Sequence, residues 1–251
     1  MRKLKFSKAN TKLKKLYKIP ELQEWLVGDR NKIYSLDKPA GWSCPFAKDC
    51  LSKAVLKDNK TTIKDGKHTK FRCYAASQEA QYRDTYEMRR YNFSLIKGKT
   101  EEQITRRLEH SLPANIGINR IDSSGDFHSQ AEFNAWVNIA IAHPDVLFYA
   151  YTKSLVYWIA WLKEHGSLPH NLVMTASRGG RTDYLIDKHG LREAVVVYSE
   201  QQAADLGLEI DNDDSHASRP SLRHQSFALL IHGTQPKGSE AGVALQVLKQ
   251  Q

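Results

Sequence analysis

The chain has only three cysteines: Cys44 and Cys50 in Ser-Cys-Pro-Phe-Ala-Lys-Asp-Cys, and Cys73 in Phe-Arg-Cys-Tyr-Ala. Three thiolates can hold three corners of a [4Fe–4S] cluster and leave the fourth iron open to a cofactor or substrate. With a histidine, His68 being the nearest before Cys73, they can close a structural zinc site instead, although no C-x2-C pair is present. Free thiols are the third alternative. Cys44 and Cys50 fall in a Pro/Gly/Trp loop away from any periodic apolar face, and Cys73 directly precedes an expected helix, whose dipole favours a thiolate. The cysteines converge only if the lysine-rich stretch 56–70 loops out between the second and the third.

Other chemistry is expected where strands end. The polar sets there are Asp122, Ser123, Ser124, Gly125, Asp126 and His128; Thr152, Lys153 and Ser154; Ser177, Arg178 and Arg181; Ser199 and Glu200; and His232 with Gly233. Taken singly, most such residues are caps and turns. Lys153 and Arg178 follow two consecutive strands, which would set two cations side by side for a carboxylate or phosphate. The last unit, Phe-Ala-Leu-Leu-Ile-His-Gly-Thr-Gln-Pro-Lys-Gly-Ser-Glu, runs strand, glycine loop, helix, so Gly233 and Gly238 would let the backbone approach an anion. Lys237 precedes Gly238 instead of following it, which argues against a nucleoside-triphosphate P-loop. The acidic run Asp211-Asn212-Asp213-Asp214 matches no calcium loop and reads as a solvated turn. No H-E-x-x-H, G-x-S-x-G or G-x-G-x-x-G motif follows a strand, which argues against a histidine-built zinc enzyme, an α/β-hydrolase and a nicotinamide-dependent enzyme.

The elements that must position these residues follow from periodicity. A short helix is expected from Pro20 to Gly28, a loop over 36–50, an exposed excursion over 56–70, and helices over 77–95 and 100–108. From Pro113 the texture becomes strand–helix. Strands are expected at Asn115–Ile121, Val146–Tyr151, Leu172–Ala176, Ala194–Tyr198 and Phe227–Ile231. The helices between them open at Ser129, Ser154 and Ser199, and a last one opens at Ser239. Ser129 with Glu132 three residues on reads as a capping box. Near-continuous apolar strands in this order predict an α/β fold of parallel βα repeats. A partial barrel is the expected architecture, an open doubly wound sheet the alternative, and either puts a site at the strands' carboxyl ends.

The 251 residues divide by composition into a basic arm (1–18), a cysteine-bearing helical and loop region (19–111) and the βα region (112–251), with 19–251 expected to form one compact domain. The arm holds Arg2, Lys3, Lys5, Lys8, Lys12, Lys14, Lys15 and Lys18 and no acid, and thus +8 of the net charge of +9. Such a segment suits a nucleic-acid backbone or an acidic partner, or serves as a solubilising tail. The lysines interrupt any signal-peptide core, and no apolar run is long enough to span a membrane, so a cytoplasmic location and no membrane partner are expected.

Pro-Ala-Gly-Trp-Ser-Cys-Pro, Phe-Arg-Cys-Tyr-Ala-Ala-Ser-Gln-Glu, Ser-Gly-Asp-Phe and Phe-Tyr-Ala-Tyr-Thr-Lys-Ser resemble the phage and mycobacteriophage family known as gene product 88, from about Tyr34 to Ala244. The resemblance implies a phage, prophage or plasmid setting, and hence the host cytoplasm, but no activity. A second likeness, in cysteine count and βα order, is to the radical S-adenosylmethionine enzymes, although the C-x3-C-x2-C loop of that superfamily is absent. It implies Cys44, Cys50 and Cys73 on a [4Fe–4S] cluster. Ser124, Gly125 and Asp126 would line the S-adenosylmethionine pocket and Lys153 and Arg178 would meet anionic groups, while the basic arm and the phage setting point to a nucleoside or nucleic acid as substrate. The competing expectation is a zinc-stabilised or metal-free phage protein that binds nucleic acid through residues 1–18 and performs no chemistry.

Overall fold

A computed structural model describes residues 1–250. The chain opens with β1 (Phe6–Lys8), two 3₁₀ turns (Leu13–Lys18 and Pro20–Trp25) and β2 (Lys32–Leu36). After the first two cysteines come β3 (Ser52–Lys57) and β4 (Lys60–Asp65), then α1 (Tyr74–Gln81), α2 (Arg83–Ile96) and α3 (Glu101–Ser111). Strict alternation follows: β5 (Ile116–Ile121), α4 (Gln130–Ala142), β6 (Leu147–Thr152), α5 (Leu155–His165), β7 (Leu172–Ser177), α6 (Tyr184–His189) and β8 (Glu193–Val197). The chain ends through α7 (Glu200–Asp205), α8 (Ser215–Ser218), a 3₁₀ turn (Pro220–Leu222), β9 (Phe227–Leu230) and α9 (Glu240–Leu248).

One seven-stranded sheet has the order β1-β2-β5-β6-β7-β8-β9, antiparallel only between β1 and β2. The α/β class and the parallel βα repeats are as the sequence predicts. The six parallel strands follow chain order, so the winding never reverses as a doubly wound sheet requires. The sheet is open, with β1 at one edge and β9 at the other, and does not close into a barrel.

Each face of the sheet has its own core. Phe148, Ala150, Met174 and Ala176 pack under Phe133, Trp136, Val137 and Ile139 of α4 and Leu155, Trp158 and Ile159 of α5. On the opposite side Ile33, Ile118, Leu147, Tyr149, Val173 and Phe227 are covered by Leu13, Leu16, Leu22 and Trp25. This corrects the picture of a free basic arm. β1 is hydrogen-bonded into the sheet, Leu13 and Leu16 are buried, and the segment supplies part of the second core. Burying a leucine stabilises by roughly 1.5–3 kcal/mol, so Leu4, Leu13 and Leu16 together offset part of the entropic cost of ordering this lysine-rich segment. Arg2, Lys3, Lys5, Lys8, Lys14, Lys15 and Lys18 remain exposed on this folded edge.

Two further expectations change. The excursion over 56–70 is an antiparallel hairpin whose turn residues Asp58 and Asn59 both have positive φ, the geometry that matches strand twist in a two-residue turn. The helix expected over 77–95 is two helices, because Tyr82 is extended (φ −118°, ψ 109°) and redirects the chain. Among the described residues no helix is long and apolar enough to cross a membrane.

Candidate functional site

Cys44 and Cys50 lie in the loop that leaves the carboxyl end of β2, the first parallel strand. Gly41 starts the turn at φ 67°, and a Cβ there would overlap the Ser52 carbonyl oxygen, so only glycine lets the loop press on the hairpin. The N–H of Gly41 donates to Cys44 Sγ at 3.3 Å. The loop is pinned to the β7–α6 turn, since Lys48 and Asp49 both donate to the Gly179 carbonyl. The Asp49 carbonyl in turn accepts the N–H groups of Lys70 and Phe71. Those bonds close the hairpin off as a side excursion and return the chain, so that Cys73 donates its N–H to Ser52 Oγ at 3.2 Å.

The three thiols are therefore neighbours. Burial pushes the Cys44 thiol well up, and the charges of Asp126, Cys73 and Cys50 push the same way. Cys73 is pushed up to about 11 by burial and by Cys50, against the N–H groups of Ala76 and Ala75 at the start of α1 and the more distant charge of Arg89. All three cysteines are free and partly exposed. Among the described residues no group of three or more His, Cys, Asp or Glu side chains could hold a single metal ion.

Two buried ion clusters set this arrangement. Glu79 of α1 accepts the Ala40 N–H at 2.8 Å, Arg89 at 3.2 Å and the Ser124 hydroxyl at 3.4 Å, joining the Cys73 helix, the Cys44 loop and the β5 turn. Lys38, fully buried, donates to Asp122 at 2.8 Å and to Glu132, whose other oxygen takes His128 at 2.5 Å. Glu132 thus turns to Lys38 and His128 instead of completing the capping box; Ser129 alone caps α4.

The strand-end residues singled out from the sequence are brought together only in part. Ser124 donates to the Lys38 carbonyl at 2.8 Å, and Gly125 (φ 95°) packs against Ser43 and Lys38. Asp126 accepts Thr152 Oγ1 at 2.6 Å and the Lys153 N–H at 2.8 Å, stitching the β5 turn to β6 next to Cys44. The two cations expected above the sheet are both engaged by protein groups. Lys153 Nζ is spent on Ser177 Oγ (2.6 Å) and on the carbonyls of Ser177 and Arg178, and Arg178 forks onto Glu193 and Asp187. Gly233 (φ 77°) fits against Tyr74, while Gly238 stands in open space ahead of Ser239, which caps α9 itself.

Sequence reasoning missed a polar group on the second face of the sheet. Asp214, expected in a solvated turn, is fully buried. It receives Lys12 at 2.7 Å, Arg120 at 2.5 Å, Tyr149 at 3.1 Å and Tyr151 at 3.5 Å. Burial would raise its carboxyl, but Arg120 and Lys12 hold it below the usual range. The available signal was Arg120 within the apolar strand Ile-Gly-Ile-Asn-Arg-Ile, since a cation inside a sheet requires a buried anion.

A cleft of about 380 Å³ opens beside the cysteines and is lined by Trp42, Cys44, Lys53, Phe93, Lys97, His128 and Arg181, among others. A larger groove, about 510 Å³, lies between α3 and α4 and contains no cysteine. No curated protein and no solved structure matches the chain, and the likeness to radical S-adenosylmethionine enzymes gains no support from these comparisons. The model of one family does match, over residues 4–247, almost the full length: the chain belongs to the phage gene-product family gene product 88.

Proposed function

We propose that this protein is an iron–sulfur enzyme of the radical S-adenosylmethionine type, acting on a nucleoside or nucleic acid, with Cys44, Cys50 and Cys73 as ligands of a [4Fe–4S] cluster. One observation carries the reading. Three thiols from two chain segments meet at the carboxyl end of the first strand in a sheet whose six parallel strands follow chain order. That end of a βα sheet is where ligands bind.

The donor set suits a cluster better than a lone ion. Three thiolates serve three irons and leave one open, and a cluster spreads its ligands further apart than a single ion does. A zinc site needs a fourth donor, and His68 is exposed on the turn after β4. Burial and mutual repulsion oppose bare thiolates at Cys44 and Cys73. A bound metal centre removes that penalty, because it deprotonates its thiols outright. The N–H groups of Gly41, Ala75 and Ala76 directed at the two sulfurs would stabilise the charge.

When bound, such a cluster supplies one electron to S-adenosylmethionine at its open iron. The chain's own residues position it: Glu79 spaces the two cysteine segments, and Ser124, Gly125 and Asp126 hold the β5 turn beside Cys44. The test is purification without oxygen, followed by iron and sulfide analysis and a visible spectrum. About four irons per chain with a broad visible band supports the reading, and each Cys→Ala variant is expected to lose both. Full iron in all three variants would overturn it.

A second reading, nucleic-acid binding without chemistry, is favoured by the seven exposed basic side chains of the N-terminal segment. It expects Lys14→Glu/Lys15→Glu/Lys18→Glu to lower affinity for nucleic acid and flatten its salt dependence.

A further inference from the structure

The cleft beside Cys44 has an unusual composition. Lys53, Lys97 and Arg181 line it with His128, and no acidic side chain does. None of those three cations is engaged in an ion pair among the described residues. Two of them rest on aromatic rings, Lys53 Nζ at 4.6 Å from the Trp42 centroid and Lys97 Nζ at 5.7 Å from that of Phe93.

Trp42 is 46% exposed, although its indole N–H already donates to the Ala54 carbonyl at 3.1 Å. Arg90 donates to the same carbonyl at 2.8 Å and lies 5.3 Å from the Trp42 ring, and Gly41 presses the loop onto the hairpin. The indole is thus fixed in place with its polar need met, and what remains in water is apolar ring surface. Lys57, Lys60 and Lys64 are exposed further along the hairpin and extend the positive charge away from the cleft.

We propose that single-stranded nucleic acid docks in this cleft, with one base stacked on Trp42 and the flanking phosphates on Lys53, Lys97 and Arg181. A rigid aromatic platform within a track of unpaired cations is the general chemistry of single-strand binding. An acidic protein would use the same charges but would leave the indole face idle, and the exposed indole therefore decides between them. The inference takes its substrate class from the reading above but does not need the cluster, and its cations are not those of the N-terminal segment.

The experiment is fluorescence anisotropy of a labelled mixed-sequence 12-nucleotide DNA strand titrated with the full chain at several salt concentrations. The variants are Trp42→Ala, Lys97→Glu/Arg181→Glu and, for comparison, Lys14→Glu/Lys15→Glu/Lys18→Glu, with thermal melts to confirm folding. Loss of a stacked base is expected to weaken binding at least about fivefold in Trp42→Ala. The cleft double variant is expected to weaken it and flatten the salt dependence, with the N-terminal variant unchanged. Binding that is unaffected by both cleft variants, or lost only in the N-terminal variant, overturns the proposal. So does polyglutamate displacing the strand equally well from the parent and Trp42→Ala proteins, the behaviour of an acidic-protein site. Iron measured on the same samples separates the two readings. Cleft-dependent binding without iron supports the cleft and sinks the cluster, and iron without cleft-dependent binding does the reverse.

Discussion

Glu79 accepts the backbone N–H of Ala40 at 2.8 Å, and through that bond the helix that starts after Cys73 is fastened to the loop that carries Cys44. The same oxygen receives Arg89 at 3.2 Å, and both side chains are buried. One carboxylate therefore fixes the spacing of two cysteines that are 29 positions apart in the chain. Glu79→Ala leaves Arg89 buried and unpaired and is expected to cost roughly 3–5 kcal/mol in a denaturant titration. Glu79→Gln keeps an acceptor for Ala40 and, if the proposed cluster is present, is expected to retain more iron than Glu79→Ala. Equal iron in the two variants would remove the spacing role.

The Lys38 cluster predicts an acid-dependent loss of stability. Burial alone would raise the Glu132 carboxyl, but Lys38 and His128 outweigh it and hold it down at about 2, against an ordinary value of 4.5. A group depressed in the folded state stabilises it above the unfolded value, and that contribution fades as the pH falls from about 4.5 towards 2. The shift corresponds to about 3 kcal/mol. Asp122, pushed well up by burial, acts with the opposite sign, binding its proton more tightly when folded. Glu132→Gln isolates the first effect. The parent's stability advantage over it is expected to be largest near pH 7 and to narrow below pH 4.5, as read from urea midpoints. A gap that does not vary with pH would contradict this.

Gly41 is the position where one methyl group should do the most damage. A side chain there must adopt φ 67° and also displace the Ser52 carbonyl. Gly41→Ala is expected to move the Cys44 loop away from the hairpin, cooling the melting transition by several degrees for a cost of about 1–3 kcal/mol and lowering the iron content that the proposed cluster would give. Unchanged iron and melting temperature would mean that the loop relaxes freely.

The N-terminal segment is expected to behave as core. Leu16→Ala removes a fully buried side chain and should cost about 2–5 kcal/mol. Deleting residues 1–18 removes β1, three buried leucines (Leu4, Leu13 and Leu16) and one of the cations on Asp214. Loss of a cooperative melting transition is the expected result. A truncated chain that melts like the full one would show that the segment is dispensable after all.

The βα repeat was legible because its strands are buried on both faces and its helices open on serines whose hydroxyls accept from the third residue on, as at Ser129, Ser199 and Ser239. β2 was not, since Lys-Ile-Tyr-Ser-Leu is short and broken by the polar Lys32 and Ser35, and its partner β5 lies some 80 residues further along. The hairpin hid for a related reason. Only alternate residues such as Ala54 and Ile63 turn inward, and an Asp-Asn turn is a weaker signal than a glycine turn. The cysteine loop was found by residue type alone. What fastens it was not, because Glu79, Lys38 and Asp214 become meaningful only when distant segments meet. A charge run such as Asp211–Asp214 or 1–18 reads as solvent-facing until its counterpart is known.

The chain-order winding of the sheet also bears on biosynthesis. Each parallel strand pairs with the parallel strand made just before it, so a growing polypeptide can add βα units one after another as it leaves the ribosome. The cysteine loop is finished before any strand from β5 onward exists. The bond between Lys12 and Asp214 cannot form until most of the chain has been made, and it ties the earliest segment to one of the last. Ribosome-bound intermediates would therefore carry the cysteine loop before the β7–α6 turn that pins it exists.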